Sequence, residues 1–167
     1  MTQYLLDANV FIQAKNFYYG FDICPGFWDW LDHVVPLGTA HSISRVCDEL
    51  TDGNDELAQW VKARKHDGRF LDITDAATQS VFRDVAAAVQ AGSYTEAAKA
   101  KFLGGADPWL VAKAKTAGAV VVTHEKPAAE AKARVPLPNV CNAAGVAYID
   151  TFHLLRGQAA SFGLTLV

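Results

Sequence analysis

The stretch Tyr4-Leu5-Leu6-Asp7-Ala8-Asn9-Val10-Phe11-Ile12 decides the fold. Its apolar residues hardly alternate with polar ones, a pattern typical of a strand that is buried on both faces in the middle of a parallel sheet. A carboxylate in such a run is costly unless it meets a cation, a proton or several donors. We therefore predict that Asp7 lies where this strand emerges from the sheet. In open α/β sheets, that carboxyl edge is where ligands bind.

The composition predicts a single domain over residues 1–167. Hydrophobic residues make up 51% of the chain, which is enough for a sizeable core, and no segment approaches the roughly 18 apolar residues of a membrane span. The three cysteines form no CxxC and no signal-like segment opens the sequence, so we expect a cytoplasmic protein with reduced thiols. The net charge of −3 disfavours bulk electrostatic binding of nucleic acid, which would need metal ions or a local basic patch.

Strand-like and helix-like segments alternate along the chain. After the opening stretch, apolar runs predict further strands at His41–Ser44, Phe70–Ile73, Ala119–Thr123 and Gly145–Ile149. Helical patterns separate them, and the strands are mostly too apolar for a one-sided sheet. The sequence therefore predicts an α/β fold of three layers, α/β/α, with a mostly parallel sheet of about five strands.

Capping residues predict where some of the helices begin and end. Asp107 precedes Pro108, so we expect Asp107 at the N-cap and Pro108 at the first helical position. Gly118 is expected to end that helix. We expect an extended piece at Pro136–Pro138, and no capped helix directly after Asp7.

Four acidic residues fall at or near the predicted strand ends: Asp7, Glu49, Asp107 and Glu125. Two carboxylates ~4 Å apart repel by roughly 4 kcal/mol at an effective dielectric constant of ~20, so a cluster of them takes up protons or holds divalent cations. Because no Cys or His residues have tetrahedral zinc spacing, we expect Mg²⁺ or Mn²⁺. Asp48 is an alternative to its neighbour Glu49, although adjacent helical residues point apart.

These residues resemble the motifs of PIN domains, in the same order and over nearly the whole chain. The matching segments are Leu5–Ile12, Glu49-Leu50, Ala106–Ala112 and Val121–Glu125. PIN domains are metal-dependent ribonucleases, and many are VapC-like toxins of bacterial toxin–antitoxin pairs. The run Phe21–Leu31 is similar to a PIN-like subfamily of largely uncharacterised members.

The resemblance implies roles for individual residues. It places Asp7, Glu49, Asp107 and Glu125 in the acidic metal site that does the catalysis. Asn9 matches an Asn that would orient the first acid from behind, and Thr123 matches the Ser or Thr often found before the last acid. Position 125 departs from the family because Asp is commoner there, so direct ligation by Glu125 stays open.

The implied activity is Mg²⁺- or Mn²⁺-dependent hydrolysis of phosphodiester bonds in single-stranded or structured RNA. Candidate phosphate contacts are Lys15, Lys126, Lys132 and Arg134, although each is equally well explained as a solvated surface charge. His124 is a weaker candidate for a general acid or base. The resemblance also implies a small antitoxin protein as partner, lying across the acidic crevice, and a homodimer stays open.

Two other interpretations remain. A haloacid-dehalogenase-like phosphatase would need a second Asp two residues after the first, where this chain has Asn9. A catalytically idle PIN-like module would have the same fold and bind RNA or a protein partner. Cleavage that is lost when Asp7 or Asp107 becomes Asn would select the enzyme over the idle module.

Overall fold

Five short strands form one sheet in the computed structural model, which describes residues 2–163. The strands are β1 (Tyr4–Leu6), β2 (Ala40–Ile43), β3 (Phe70–Leu71), β4 (Val120–Val122) and β5 (Tyr148–Ile149). They lie in the order β3-β2-β1-β4-β5, and every neighbouring pair is parallel. The predicted parallel sheet of about five strands is confirmed, and β1 occupies its centre.

Helices connect these parallel strands. They are α1 (Ala8–Gln13), α2 (Pro25–Val34), α3 (Ser44–Thr51), α4 (Glu56–Lys62), α5 (Ala76–Ala91), α6 (Glu96–Gly104), α7 (Asp107–Ala117), α8 (Leu137–Ala144) and α9 (Thr151–Gly157). The sheet extends from β1 through β2 to β3 on one side and through β4 to β5 on the other, and because connections between parallel strands are right-handed as a rule, this order places helices on both faces of the sheet. None of the helices within residues 2–163 has the length and apolar character that a membrane span requires.

Apolar burial holds the central strand in place. Leu5 and Leu6 are completely or almost completely buried, α7 packs against β1, β2 and β4, and the side chains of Leu110 and Val111 on α7 are fully buried. Each fully buried aliphatic side chain stabilises the fold by roughly 1.5–3 kcal/mol relative to exposure. The residues that follow β1 are thereby fixed relative to α7, which carries Asp107, the third predicted acid.

Three local predictions were wrong. Asp7 is followed directly by α1 and occupies its N-cap position, although its side chain makes no capping hydrogen bond there. Asp107 is the first residue of α7, and Ala106 precedes it as the N-cap. The segment predicted to be extended from Pro136 to Pro138 instead begins α8 at Leu137, because a proline in the first helical turn lacks only an N–H that the helix does not use.

Candidate active site

The candidate site lies at the carboxyl ends of the neighbouring strands β1 and β4. At this point the strand order reverses, because β2 and β3 lie on one side of β1 and β4 and β5 lie on the other. Crevices outside the carboxyl ends of strands at such a reversal are the usual ligand sites of open α/β sheets. Asp7 follows β1 here, and Thr123 follows β4. A cavity of about 430 Å³ opens at this point, and its lining includes all four predicted acids, Asp7, Glu49, Asp107 and Glu125.

Asp7 is the deepest of the four acids. It is 1% exposed, and its backbone N–H donates to the carbonyl oxygen of Val122, which keeps it in register with β4. The hydroxyl of Thr123 donates to Oδ2 of Asp7 over 2.9 Å. Asn9 also lines the cavity, so both residues predicted to support Asp7 lie beside it.

Glu49 connects α3 to the start of α7. Its Oε1 accepts a hydrogen bond of 2.9 Å from the backbone N–H of Ala106, the residue immediately before Asp107. Glu49 therefore helps to position Asp107 as well as contributing charge to the cavity. Asp48, the alternative to Glu49, is exposed and does not contribute to the cavity lining.

Glu125 is held by the segment that leads into α8. Its Oε2 accepts a hydrogen bond of 2.9 Å from the backbone N–H of Leu137, and the guanidinium of Arg134 lies 3.7 Å from the same oxygen. The backbone N–H of Glu125 donates to the hydroxyl of Thr123 over 3.2 Å. These contacts tie the last acid to the same hydroxyl that orients Asp7.

The acids perturb one another electrostatically. Burial raises the pKa of Asp7 to about 6, and the charge of Glu125 adds to this rise, while the hydroxyl of Thr123 and the amides of Asn9 act in the opposite direction. Burial raises the pKa of Asp107 to about 8, with further contributions from Asp7, Glu125 and Glu49. A cavity with several carboxylates and raised pKa values will bind protons or a cation near neutral pH.

The donor atoms of the cavity are of the type that hard divalent cations prefer. All four acids supply carboxylate oxygens, which Mg²⁺ and Mn²⁺ prefer. Among residues 2–163, however, no three His, Cys, Asp or Glu side chains are grouped so that they could hold a metal ion as they stand. Glu49 and Glu125 each use one oxygen to accept a backbone N–H, so their second oxygens and the carboxylates of Asp7 and Asp107 are the donors that could hold an ion.

Other predicted site residues lie apart from the cavity. Lys15 forms an ion pair with Asp55 at 2.9 Å, and Lys126 and Lys132 are exposed and do not line the cavity. The ring of His124 contacts the hydroxyl of Thr151 at 2.9 Å and stacks against Tyr18. Burial lowers the pKa of His124. Of the four predicted phosphate contacts, only Arg134 lines the cavity.

Sequence reasoning missed two residues at the site. Lys101 lines the cavity from α6, and the only signal in the sequence is that α6 ends shortly before Asp107. Cys141 lies buried on α8, where burial followed by the charges of Asp107 and Asp7 raises the pKa of its thiol to about 12. Its proximity to the acids could not be foreseen because α8 itself was not predicted.

Among the solved structures that share this fold, two match most of this chain. One chain belongs to the crystal structure of VapBC2 from Rickettsia felis bound to a DNA fragment from their promoter. It has a TM-score of 0.55 and 13% identity over 89% of this chain and 98% of that chain. The other belongs to FitAB bound to the IR36 DNA fragment, with a TM-score of 0.54 and 18% identity over 90% of this chain and 96% of that one. The predicted three-layer PIN-like fold is confirmed.

A family assignment accompanies the fold. The model of the family described as "Domain of unknown function (DUF4411)" matches residues 4–162, so the chain belongs to that family. A comparison with curated proteins found no match. The protein is therefore a DUF4411 member with the fold of a PIN domain.

Proposed function

We propose that this protein is a metal-dependent endoribonuclease that hydrolyses phosphodiester bonds in single-stranded or structured RNA. One observation carries the proposal: Asp7 and Asp107, which are one hundred residues apart in the sequence, line a single cavity together with Glu49 and Glu125, and the charge of Asp7 contributes to the raised pKa of Asp107. A bound Mg²⁺ or Mn²⁺ would lower the pKa of a water ligand and offset negative charge on the scissile phosphate.

The residues of the chain have distinct tasks in this proposal. Asp7 and Asp107 would hold the cation, and the hydrogen bond from Thr123 keeps Asp7 in one orientation. Glu49 and Glu125 anchor the start of α7 and of α8 through backbone N–H groups, and each has a second oxygen to contribute to the site. This arrangement separates the two direct carboxylates from two supporting ones.

The experiment that tests the proposal is cleavage of a fluorescently labelled single-stranded RNA by the purified chain. We expect cleavage with Mg²⁺ or Mn²⁺, none with EDTA, and a loss of at least about a hundredfold in Asp7→Asn and in Asp107→Asn. Asp48→Asn is the matched control, because this exposed acid adjoins the site without lining the cavity. Circular dichroism must show that the variants remain folded. Full activity in both Asn variants would contradict the assigned roles.

We further propose that the protein is the toxin of a toxin–antitoxin pair. The similarity of the fold to VapBC2 and FitAB, both in structures with bound DNA, supports this proposal. Large apolar side chains also remain exposed, including Phe17 and Ile23, each more than 70% exposed, and these would be covered by a small antitoxin protein. Co-expression with the product of a neighbouring gene should give a stable complex and relieve toxicity. A monomeric and fully toxic protein under co-expression would contradict this partner.

A second candidate function is a catalytically idle PIN-like module that binds RNA or a protein. The observation that favours it is that no three potential ligand side chains of the described part are grouped to hold a metal ion. Mn²⁺ titration followed by thermal unfolding separates the two candidates. The nuclease should gain stability in a manner that depends on Asp7 and Asp107, whereas an idle module should not respond.

A further inference from the structure

Two basic side chains share the cavity with the acids, and we call Lys101 and Arg134 the basic rim. Lys101 lies on α6, and Arg134 lies in the segment between β4 and α8. They are the only Lys or Arg residues of the described chain that line the cavity. A cavity lined by acids alone would repel a polyanion, so these two positive charges alter which ligands can enter it.

The basic rim is held to the acidic site by backbone contacts. The N–H of Thr95, the N-cap of α6, donates to the carbonyl oxygen of Lys132 over 2.9 Å, which ties α6 to the segment that carries Arg134. Three residues beyond Arg134, the N–H of Leu137 donates to Glu125. The two basic residues are therefore carried by segments that are joined to each other and to an acid of the site.

Neither charged group of the basic rim makes a hydrogen bond within the described residues, although Arg134 forms an ion pair with Glu125. Arg134 is 59% exposed, and its guanidinium lies 3.7 Å from Glu125, within ion-pair range but beyond a hydrogen bond. Within residues 2–163, the ammonium of Lys101 makes no hydrogen bond or ion pair. Lys15, in contrast, is bound to Asp55 at 2.9 Å. The basic rim therefore keeps hydrogen-bond donors free for an external anion.

We infer that Lys101 and Arg134 are positioning residues that bind a backbone phosphate of a single-stranded nucleic acid and place it against the acids of the cavity. This inference rests on the proposed function for its ligand. Arg offers a planar fork that can bind two phosphate oxygens, and Lys acts as a compact point charge. Both contacts involve phosphate alone, so they contribute affinity and register without reading the base sequence.

The dependence of binding on salt tests this inference independently of cleavage. We would measure anisotropy of a short fluorescein-labelled single-stranded RNA at several KCl concentrations, with EDTA present to prevent metal-dependent hydrolysis. For single strands, the slope of log K against log salt is about −0.7 for each phosphate contact. We expect the slope of the wild type to become shallower by about 0.7 in Lys101→Ala, by about 0.7 in Arg134→Ala, and by about 1.4 in the double variant.

The control variants keep the test specific to the basic rim. Lys132→Ala removes an exposed charge two residues before Arg134 that does not line the cavity, so it should leave the slope unchanged. Lys101→Arg and Arg134→Lys retain the charge and should restore the slope. A DNA strand of the same sequence should show the same reductions, because the contact is to phosphate. If Lys132→Ala reduces the slope as much as the basic-rim variants do, the inference is wrong.

The inference and the proposed function can fail separately. If the chain binds RNA with the expected slopes but never cleaves it, the proposed ribonuclease function is wrong, whereas phosphate binding by the basic rim is supported. A chain that cleaves RNA while Lys101→Ala and Arg134→Ala keep the wild-type slope and KM would overturn the basic rim alone. If cleavage occurs, both variants should raise KM about tenfold and change kcat by less than about threefold, as expected for a contact made equally in the ground and transition states.

Discussion

The hydroxyl of Thr123 donates a hydrogen bond of 2.9 Å to Oδ2 of Asp7 and so joins the residues that follow the two central strands, β4 and β1. The same hydroxyl accepts the backbone N–H of Glu125. The hydroxyl oxygen of Thr123 therefore orients Asp7, the deepest acid, and also holds the backbone of Glu125, the last acid. A methyl group in place of this hydroxyl would fill the same volume but could not donate a hydrogen bond to Asp7, which is buried.

Replacing Thr123 by Val should separate shape from hydrogen bonding. Loss of the donor removes a contact that lowers the pKa of Asp7, so that pKa should rise above about 6. We expect Thr123→Val to lower the free energy of unfolding by about 2 kcal/mol at neutral pH and to weaken cation binding. Urea unfolding and Mn²⁺ titration measure the two effects. Thr123→Ser retains the hydroxyl and should behave like the wild type; equal behaviour of all three proteins would contradict the role of this bond.

The acidic cavity should make the metal-free protein less stable as the pH rises. Asp7 and Asp107 have folded-state pKa values of about 6 and about 8, above the ordinary value of 3.8, so the folded chain retains protons that the unfolded chain has released. Their contribution to stability is full below about pH 4 and is lost as the pH rises through about 6 and then about 8. We expect the free energy of unfolding in EDTA to fall by on the order of 5 kcal/mol between about pH 5 and about pH 9.

Variants assign this pH dependence to particular carboxyls. Asp107→Asn should remove the decline near pH 8, whereas Asp48→Asn, outside the cavity, should retain it. Carboxyls with lowered pKa values, such as Asp75 beside Lys113, titrate below this interval and do not contribute to it. Urea unfolding across the pH range provides the measurement. A wild-type protein that becomes more stable from pH 5 to pH 9 would show that these carboxyls do not share protons in the way described.

A divalent cation should reverse the effect of high pH. Because a cation competes with protons for the same carboxylates, Mg²⁺ or Mn²⁺ should raise the melting temperature more at about pH 8 than at about pH 5. At a concentration of about 100 times Kd, the gain in stability is about 2.7 kcal/mol. Differential scanning fluorimetry measures it, with Asp7→Asn and Asp107→Asn as variants expected to lose the response. A response that is unchanged in both would place the cation elsewhere.

The sequence predicted the sheet and the meeting of the acids because both follow from local signals. Apolar runs fixed the strands, and the rule that ligand sites lie at the carboxyl ends of parallel strands brought Asp7 and Glu125 to one edge. The helix α1 was not predicted, because the short apolar run Val10-Phe11-Ile12 fits a strand as well as a buried helix. In the structure, these residues belong to α1, and Val10 and Phe11 are buried on it.

The contacts that support the acids could not be predicted from the sequence. Glu49 binds the backbone of Ala106, and Glu125 binds the backbone of Leu137, and both partners depend on how distant helices pack. Both partners donate through the backbone N–H, so no characteristic side chain in the sequence indicates these contacts. The same limit explains why Lys101 was missed and why the ion pair of Lys15 with Asp55, away from the cavity lining, was not foreseen.

Two substitutions of Glu49 should separate its structural task from its electrostatic one. In Glu49→Gln, an amide oxygen can still accept the N–H of Ala106, but the negative charge is lost. We expect the stability of this variant to stay within about 0.5 kcal/mol of the wild type while cation affinity falls about tenfold. Glu49→Ala also removes the acceptor, so it should lower the free energy of unfolding by about 1–2 kcal/mol.

Glu125 provides the matched comparison, since its Oε2 accepts the N–H of Leu137 in the same way. Glu125→Gln should retain the start of α8, and Glu125→Ala should destabilise it, as judged by urea unfolding. If each acid only braces a helix, the Gln variants will bind Mn²⁺ as the wild type does in isothermal titration. If each also contributes its second oxygen, the two Gln variants will weaken binding, and the double Gln variant will weaken it further while remaining as stable as the wild type.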